Sequence, residues 1–181
     1  MKKILLLLII SLAPWATMAQ SKTTDALQKR FNDSFSLYFY KNTLRMLNQT
    51  DNKEFDDMVK NIEKMKFLII DKSKKNFGPA DYKKLKGGYA SETYEEIMTS
   101  RYEGRNFDVY LKDKKGSSLG TVVLVNDSTN LYILDMLGTF DVRQASKLFS
   151  TIDGSSDIGQ KIKSFVEKGD NHKGRNKIHV D

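Results

Sequence analysis

Cysteine is absent from this 181-residue sequence, and histidine occurs only twice, as His172 and His179. The lack of cysteine excludes disulfide bonds, thiolate metal sites, cysteine nucleophiles and a lipid anchor on cysteine. The two histidines have no standard metal-ligand spacing, and Asp153–Asp157 lacks the alternating acidic order of a calcium loop. The sequence therefore predicts no metal site, no cofactor and no catalytic residue, which favours a protein that is not an enzyme.

Long apolar runs are also scarce, and the one that stands out lies at the N-terminus. The chain begins with basic Met1-Lys2-Lys3, continues with the largely apolar Ile4–Leu12 and then reaches the small residues of Thr17-Met18-Ala19. This is the pattern of a secretory signal peptide, and it is too short for a spanning helix. We expect cleavage between Ala19 and Gln20 to remove residues 1–19, leaving a periplasmic or secreted protein with no transmembrane segment.

Acidic residues are fewer than basic ones, 23 against 30, which gives a formal net charge of +7. Part of the positive charge lies in residues 169–181, a polar stretch that we interpret as a flexible basic tail. A basic surface favours anionic neighbours such as phospholipid, polysaccharide or acidic proteins. For an exported protein we therefore expect a protein or an envelope component as partner, and no nucleic acid.

Residues 20–168 are predicted to form a single α+β domain. Its centre is a run of four strands, bounded by Gly, Asn, Asp and Ser turns, at Glu95–Tyr102, Asn106–Lys112, Leu119–Val125 and Leu131–Leu137. The last two are apolar on both sides, so both of their faces must be covered. We expect an antiparallel β-meander extended by two N-terminal strands, near Phe35–Tyr40 and Phe67–Ile70, with helices packed mainly on one face.

Helical spacing predicts helices at Thr24–Phe31, from Asp51 to Met65, and from Gly78-Pro79 to Gly87-Gly88. Asp51 and Glu54 would form the capping box of the second helix. Because this helix lies between two predicted strands, it indicates a right-handed crossover with those strands parallel. Two more helices are predicted, beginning at Asp141 and Asp157.

Three surface features are candidates for function. Gly116–Gly120 fits the G-x-S-x-G pattern of serine hydrolases at Ser118, but that chemistry needs a strand-to-helix turn, and here a plain turn between strands is favoured. The strand tyrosines form a candidate binding face, which comprises Tyr38, Tyr40, Tyr102, Tyr110 and Tyr132. Of these, Tyr102 and Tyr110 are candidate cross-strand neighbours; ordinary packing is the alternative. Asp127-Ser128-Thr129 resembles an O-glycosylation pattern at Ser128, with an unmodified turn as the alternative.

The layout resembles the small exported proteins of Bacteroidota grouped as domain-of-unknown-function family 4252. The resemblance spans roughly Phe31–Ile152 and is carried by packing and turn patterns at Tyr40–Leu47, Ile62–Ile69, Tyr94–Met98 and Leu137–Asp141. It implies operons with extracytoplasmic sigma factors and a link to envelope stress, although family members are often lipoproteins and this cysteine-free chain is not. The leading hypothesis is an exported, non-catalytic binding or interaction protein of the cell envelope. The alternatives are a weak serine hydrolase at Ser118 and lipid or polysaccharide binding through the basic tail.

Overall fold

The β-branched and aromatic runs form a six-stranded antiparallel sheet with the strand order β1-β2-β6-β5-β4-β3. The computed structural model describes residues 20–46, 48, 51–102, 104–114 and 117–141. Its strands are β1 (Phe35–Tyr40), β2 (Ile62–Asp71), β3 (Glu95–Tyr102), β4 (Arg105–Lys114), β5 (Ser117–Asn126) and β6 (Asn130–Gly138). Its helices are α1 (Lys22–Arg30), α2 (Lys41–Met46), α3 (Lys53–Val59), α4 (Lys72–Lys75) and α5 (Pro79–Ser91).

The predicted meander and its extension by two N-terminal strands are confirmed, and the fold is α+β. The predicted parallel crossover is wrong, because β1 and β2 pair antiparallel, with Phe35 opposite Ile69 and Tyr40 opposite Lys64. The helix expected to reach Met65 ends at Val59, and Ile62 already belongs to β2. The apolar residues three and four positions apart fit one face of a helix. However, pairing with β1 and β6 places the last two of them, Ile62 and Met65, in a strand.

Two helix ends also differ from the sequence expectation. Asn52, and not Asp51, caps α3, and its side chain accepts hydrogen bonds from the main-chain nitrogens of Glu54 and Phe55 at 2.9 and 3.3 Å. Helix α5 continues past Gly87-Gly88 to Ser91. The missing side chain at Gly88 lets Thr23 of α1 approach closely, since a Cβ there would lie 2.7 Å from the Thr23 side chain.

The side chains of the sheet alternate between two buried cores. On one side, which we call the α3 face, Leu44 of α2 and Phe55 of α3 belong to the same core as Phe67 and Leu134 of the sheet. On the other, the α5 face, helices α1 and α5 pack against strands β2, β4, β5 and β6. The described helices thus divide between the faces, whereas the sequence predicted them mainly on one, because β5 and β6 are apolar on both sides and need cover on both.

Several expectations fall outside the described residues: the signal peptide at 1–19, the helices predicted after Asp141 and Asp157, and the basic tail at 169–181. Within the described part of the chain, no helix is both long enough and apolar enough to cross a membrane.

Candidate functional site

A row of mostly polar side chains crosses the α5 face of the sheet. The pairing register places one residue of each strand side by side, in the order Tyr38, Lys66, Asp135, Val122, Tyr110 and Glu96. Two charged members lie at its centre, since Lys66 is 2% exposed and Asp135 is 0% exposed. Buried charges are costly unless they are paired and hydrogen-bonded. The row is therefore a part of the sheet that hydrophobic packing alone does not explain.

Lys66 is neutralised by α1. Its ammonium group forms an ion pair with Asp25 in the first turn of α1, and it also lies 5.2 Å from the centre of the Tyr38 ring. Ser21 starts α1 by accepting hydrogen bonds from the main-chain nitrogens of Thr23 and Thr24, which fixes the position of Asp25. The N-terminal helix is thus held against the buried lysine.

A groove of about 330 Å³ lies beside this ion pair, between α1 and the edge strand β1, and we call it the β1 groove. Tyr38 and Tyr40 are 44% and 57% exposed, and the Lys64 ammonium group lies 5.9 Å from the centre of the Tyr40 ring. Other polar lining comes from Gln20, Asp25, Gln28, Lys29 and Lys66. The groove therefore combines exposed aromatic rings with an excess of positive charge.

Asp135 is less completely partnered than Lys66. Its Oδ2 accepts a hydrogen bond from the main-chain nitrogen of Ser21 at 3.2 Å, whereas its Oδ1 has no hydrogen-bond partner within the described residues. Burial raises the pKa of Asp135 to about 7, and the Thr24 side chain and the charge of Lys66 offset only part of that effect. Gln20 lies against the same residue, because its side-chain amide donates to the Asp135 main-chain oxygen at 3.0 Å.

A second polar cluster lies at the opposite end of the row, where side chains of α5 form hydrogen bonds with the β3–β4 hairpin. Asp108, 2% exposed, accepts hydrogen bonds from Tyr82, from Thr99 at 2.6 Å and from Lys86 at 3.2 Å. Burial alone would raise the pKa of Asp108, but these hydrogen bonds outweigh it and hold the pKa below its usual value. Glu96 completes the cluster by accepting from Lys86 at 3.2 Å and from the Tyr110 hydroxyl at 3.0 Å.

The structure divides the tyrosines of the predicted binding face between different surfaces. Tyr110 is buried on the α5 face, where its ring centre lies 5.4 Å from that of Tyr89, and Tyr132 is buried in the core of the α3 face. Tyr102 pairs with Arg105 and Tyr110 with Glu96, so the two tyrosines are not cross-strand neighbours. Among the side chains that the structure describes, Tyr38 and Tyr40 of this predicted face are exposed together, in the β1 groove.

The two serine candidates occupy different positions in the meander. Ser118 lies within β5 opposite Asp113, in a hairpin without the strand-to-helix turn, and its hydroxyl has no hydrogen-bond partner in the part of the chain that is described. Ser128 is exposed in the β5–β6 turn, where Asp127 Oδ1 accepts from the main-chain nitrogens of Thr129 and Asn130 at 2.7 and 2.6 Å. Asp153, His172, His179 and Ala19 lie outside the described residues.

Comparison with known proteins identifies a family and no function. Residues 29–148 match the family described as Domain of unknown function (DUF4252). No curated protein and no solved structure matches the chain. The matched range contains all six strands, including the β1 and β2 sides of the groove, whereas Gln20 and most of α1 precede it.

Proposed function

Because the chain belongs to the DUF4252 family, whose function is unknown, we propose its function from the geometry: it is an exported, non-catalytic binding protein of the cell envelope that holds an acidic saccharide in the β1 groove. The observation that carries the proposal is the pairing of two half-exposed tyrosine rings, Tyr38 and Tyr40, with the ammonium groups of Lys66 and Lys64.

The chemistry of the lining favours an acidic saccharide. Tyrosine rings offer apolar faces with a polar tip, and a sugar ring has an apolar face surrounded by hydroxyl groups. Lys29 and Lys64 can pair with a carboxylate, and Gln28 can hydrogen-bond hydroxyl groups. The volume of about 330 Å³ is near the lower end of the range of small-molecule sites, about 300–1,000 Å³.

A phospholipid is the less suitable ligand for this groove. An acyl chain needs apolar surface to cover it, but the aliphatic and phenyl side chains at the groove, Phe39 and Met65, are only 6% and 2% exposed and belong to the core of the α3 face. What the groove offers to solvent is rings, amides and charges. A lipid headgroup could reach the lysines, so lipid vesicles are one arm of the test.

The test is calorimetric titration of the protein with oligosaccharides that contain a uronic acid, alongside neutral oligosaccharides of the same length and phosphatidylglycerol vesicles. We expect binding to the acidic saccharide alone, weakening with added salt. Tyr40→Ala and Lys64→Ala should each weaken it by about tenfold or more, equivalent to about 1.4 kcal/mol. Lys83→Ala is the matched control, since Lys83 is an exposed lysine on α5 and does not line the groove.

The proposal fails if no acidic saccharide binds, or if Lys64→Ala weakens binding no more than Lys83→Ala. Binding to vesicles and not to saccharides would show that the ligand of the groove is a lipid headgroup. Export is tested separately by the intact mass of the protein from its native host, which should begin at Gln20. A link to envelope stress, a hydrolase at Ser118 and binding through residues 169–181 stay predictions from the sequence, and no described contact favours them over the groove.

A further inference from the structure

The first described residues are bound to the sheet and to the end of α5. The main-chain nitrogen of Ser21 donates to Asp135 Oδ2 at 3.2 Å, and the side chain of Gln20 donates to the Asp135 main-chain oxygen at 3.0 Å. Glu92 accepts from the main-chain nitrogens of Lys22 and Thr23 at 2.8 and 2.6 Å, and from the Ser21 hydroxyl at 3.1 Å. Because the main-chain nitrogens of successive residues lie less than about 4 Å apart, that of Gln20 lies within about 7 Å of Asp135 Oδ2.

Among the described residues, no cation forms an ion pair with this carboxylate. Asp135 is completely buried, and its Oδ1 has no hydrogen-bond partner among the residues described. The buried cation beside it, Lys66, forms an ion pair with Asp25. An ionised Asp135 therefore leaves this part of the α5 face with a net negative charge, which is costly away from water. One more cation, delivered beside Oδ1, would balance it.

We propose that the α-ammonium group created at Gln20 by signal-peptide cleavage pairs with the Asp135 carboxylate and completes the fold of the processed protein. The inference rests on the proposed export, with cleavage between Ala19 and Gln20. Before cleavage the Gln20 nitrogen belongs to a neutral peptide bond. Hydrolysis of that bond by water leaves a carboxylate on Ala19 and an ammonium group on Gln20, so processing adds one positive charge where the structure lacks it.

The pair also predicts the chemical state of Gln20. An N-terminal glutamine can cyclise when its amine attacks its own side-chain amide and releases ammonia. Here the side-chain amide donates to Asp135, and a paired ammonium group has no free electron pair for the attack. We therefore expect Gln20 to stay uncyclised in the folded protein.

The surroundings of Asp135 limit which groups can titrate between about pH 5 and pH 8. The titratable groups that face it are Lys66 of β2, Asp25 of α1, Tyr89 of α5, and Glu92 and Tyr94 just after α5. Burial raises the pKa of Tyr89 and of Tyr94 well above the usual value. Burial opposes ionisation of Glu92, but the hydrogen bonds from Thr23, Lys22 and Ser21 hold its pKa below the usual value.

The pH dependence follows from linkage. Without the ammonium group, the folded pKa of Asp135, about 7, lies above the unfolded value of about 3.9. The favourable contribution of the protonated carboxyl is then complete below about pH 4 and is lost as the pH rises to about 7. With the ammonium group the ionised carboxylate is paired, and the benefit is lost only when the amine deprotonates, above its usual pKa of about 7.7–8.0. Processing should therefore stabilise the protein most near about pH 7.5 and little at about pH 5.

The experiment compares two purified chains with defined N-termini, one beginning at Gln20 and one at Thr17, whose ammonium group is displaced by three residues. Thermal unfolding is followed by circular dichroism. We expect the Gln20 chain to melt about 5 °C higher near pH 7.5, and the two chains to agree within about 1 °C near pH 5. Asp135→Asn should abolish the difference near pH 7.5, because the charge that the ammonium group meets is gone.

The pKa of the Gln20 amine can be measured directly, so the proposal can still be tested if Asp135→Asn does not fold. In a chain labelled with ¹⁵N at Gln20, the amine should titrate above its usual pKa of about 7.7–8.0. Equal melting temperatures near pH 7.5, an amine with an ordinary pKa, or a folded protein with cyclised Gln20 would overturn the pairing. A native protein that does not begin at Gln20 would overturn the proposal, because the cleavage site would be wrong. Saccharide binding in the β1 groove is judged separately, by the titrations of the Tyr40→Ala and Lys64→Ala variants.

Discussion

Replacing Gly138 by alanine should destabilise the fold more than the same change at Gly104 or Gly87. Gly138 ends β6 with φ of +110°, a conformation that favours glycine. A Cβ atom there would lie 2.2 Å from the main-chain oxygen of Asn61. That oxygen accepts a hydrogen bond from the main-chain nitrogen of Thr139 at 3.1 Å, so it cannot move away without disturbing this bond.

The expected magnitude combines these two effects. Holding a non-glycine residue in such a conformation costs about 1–3 kcal/mol, and weakening the Asn61–Thr139 hydrogen bond costs about 1 kcal/mol more. A shift of Asn61 also disturbs the bulge at the start of β2, where Ile62 is opposite Gly138 and Lys64 is opposite Leu137. We expect the free energy of unfolding to fall by about 3 kcal/mol, which lowers Tm by about 6–12 °C in a domain of this size.

Alanine variants of two other glycines, measured in the same thermal unfolding assay, separate the cost of the backbone conformation from the cost of the Asn61 contact. Gly104 has φ of +78° but open space around it, so Gly104→Ala should show the conformational cost alone. Gly87 lies inside α5 with open space as well, so Gly87→Ala should stabilise the protein by about 0.5–1 kcal/mol through helix propensity. A Gly138→Ala variant that melts no lower than Gly104→Ala would refute the argument from the Asn61 contact.

Four further changes test other parts of the molecule. Asp108→Asn should lower the free energy of unfolding, measured in urea, by about 2 kcal/mol at neutral pH. Because the pKa of Asp108 in the folded protein is below its unfolded value of about 3.9, this stability difference between wild type and variant should disappear as the pH falls below about 4. A fluorophosphonate probe should not label the protein, and stoichiometric labelling lost in Ser118→Ala would contradict the non-catalytic function. If Ser128 is glycosylated, mass spectrometry of the native protein will show a hexose adduct that Ser128→Ala abolishes, whereas a wholly unmodified peptide ends that hypothesis. Deleting residues 169–181 should leave Tm nearly unchanged. A fall of about 5 °C or more, equivalent to roughly 1.3–2.5 kcal/mol, would show that the tail packs against the domain.

The meander could be predicted because its signals are local. The four strands from Glu95 to Gly138 are separated by turn residues that the sequence shows directly, and the β5–β6 turn lies where Asn126–Asn130 indicated it. The direction of β2 could not be predicted in the same way. Ile62 and Met65 fit a helical stripe that begins at Phe55, and they also fit a strand, so only pairing with β1 and β6 decides between the two.

The polar row could not be predicted because it depends on register in a sheet whose strand order differs from chain order. In the sequence, Asp135 is a charged residue within the predicted apolar strand Leu131–Leu137, whereas Lys66 lies between the predicted helix and the strand predicted near Phe67–Ile70. They become neighbours only through the pairing of β2 with β6. A slip of β2 by one residue would turn Lys66 toward the α3 face, beside Leu134 and away from Asp25. We infer that the buried charges, which cost stability, help to exclude that register because they find partners in only one.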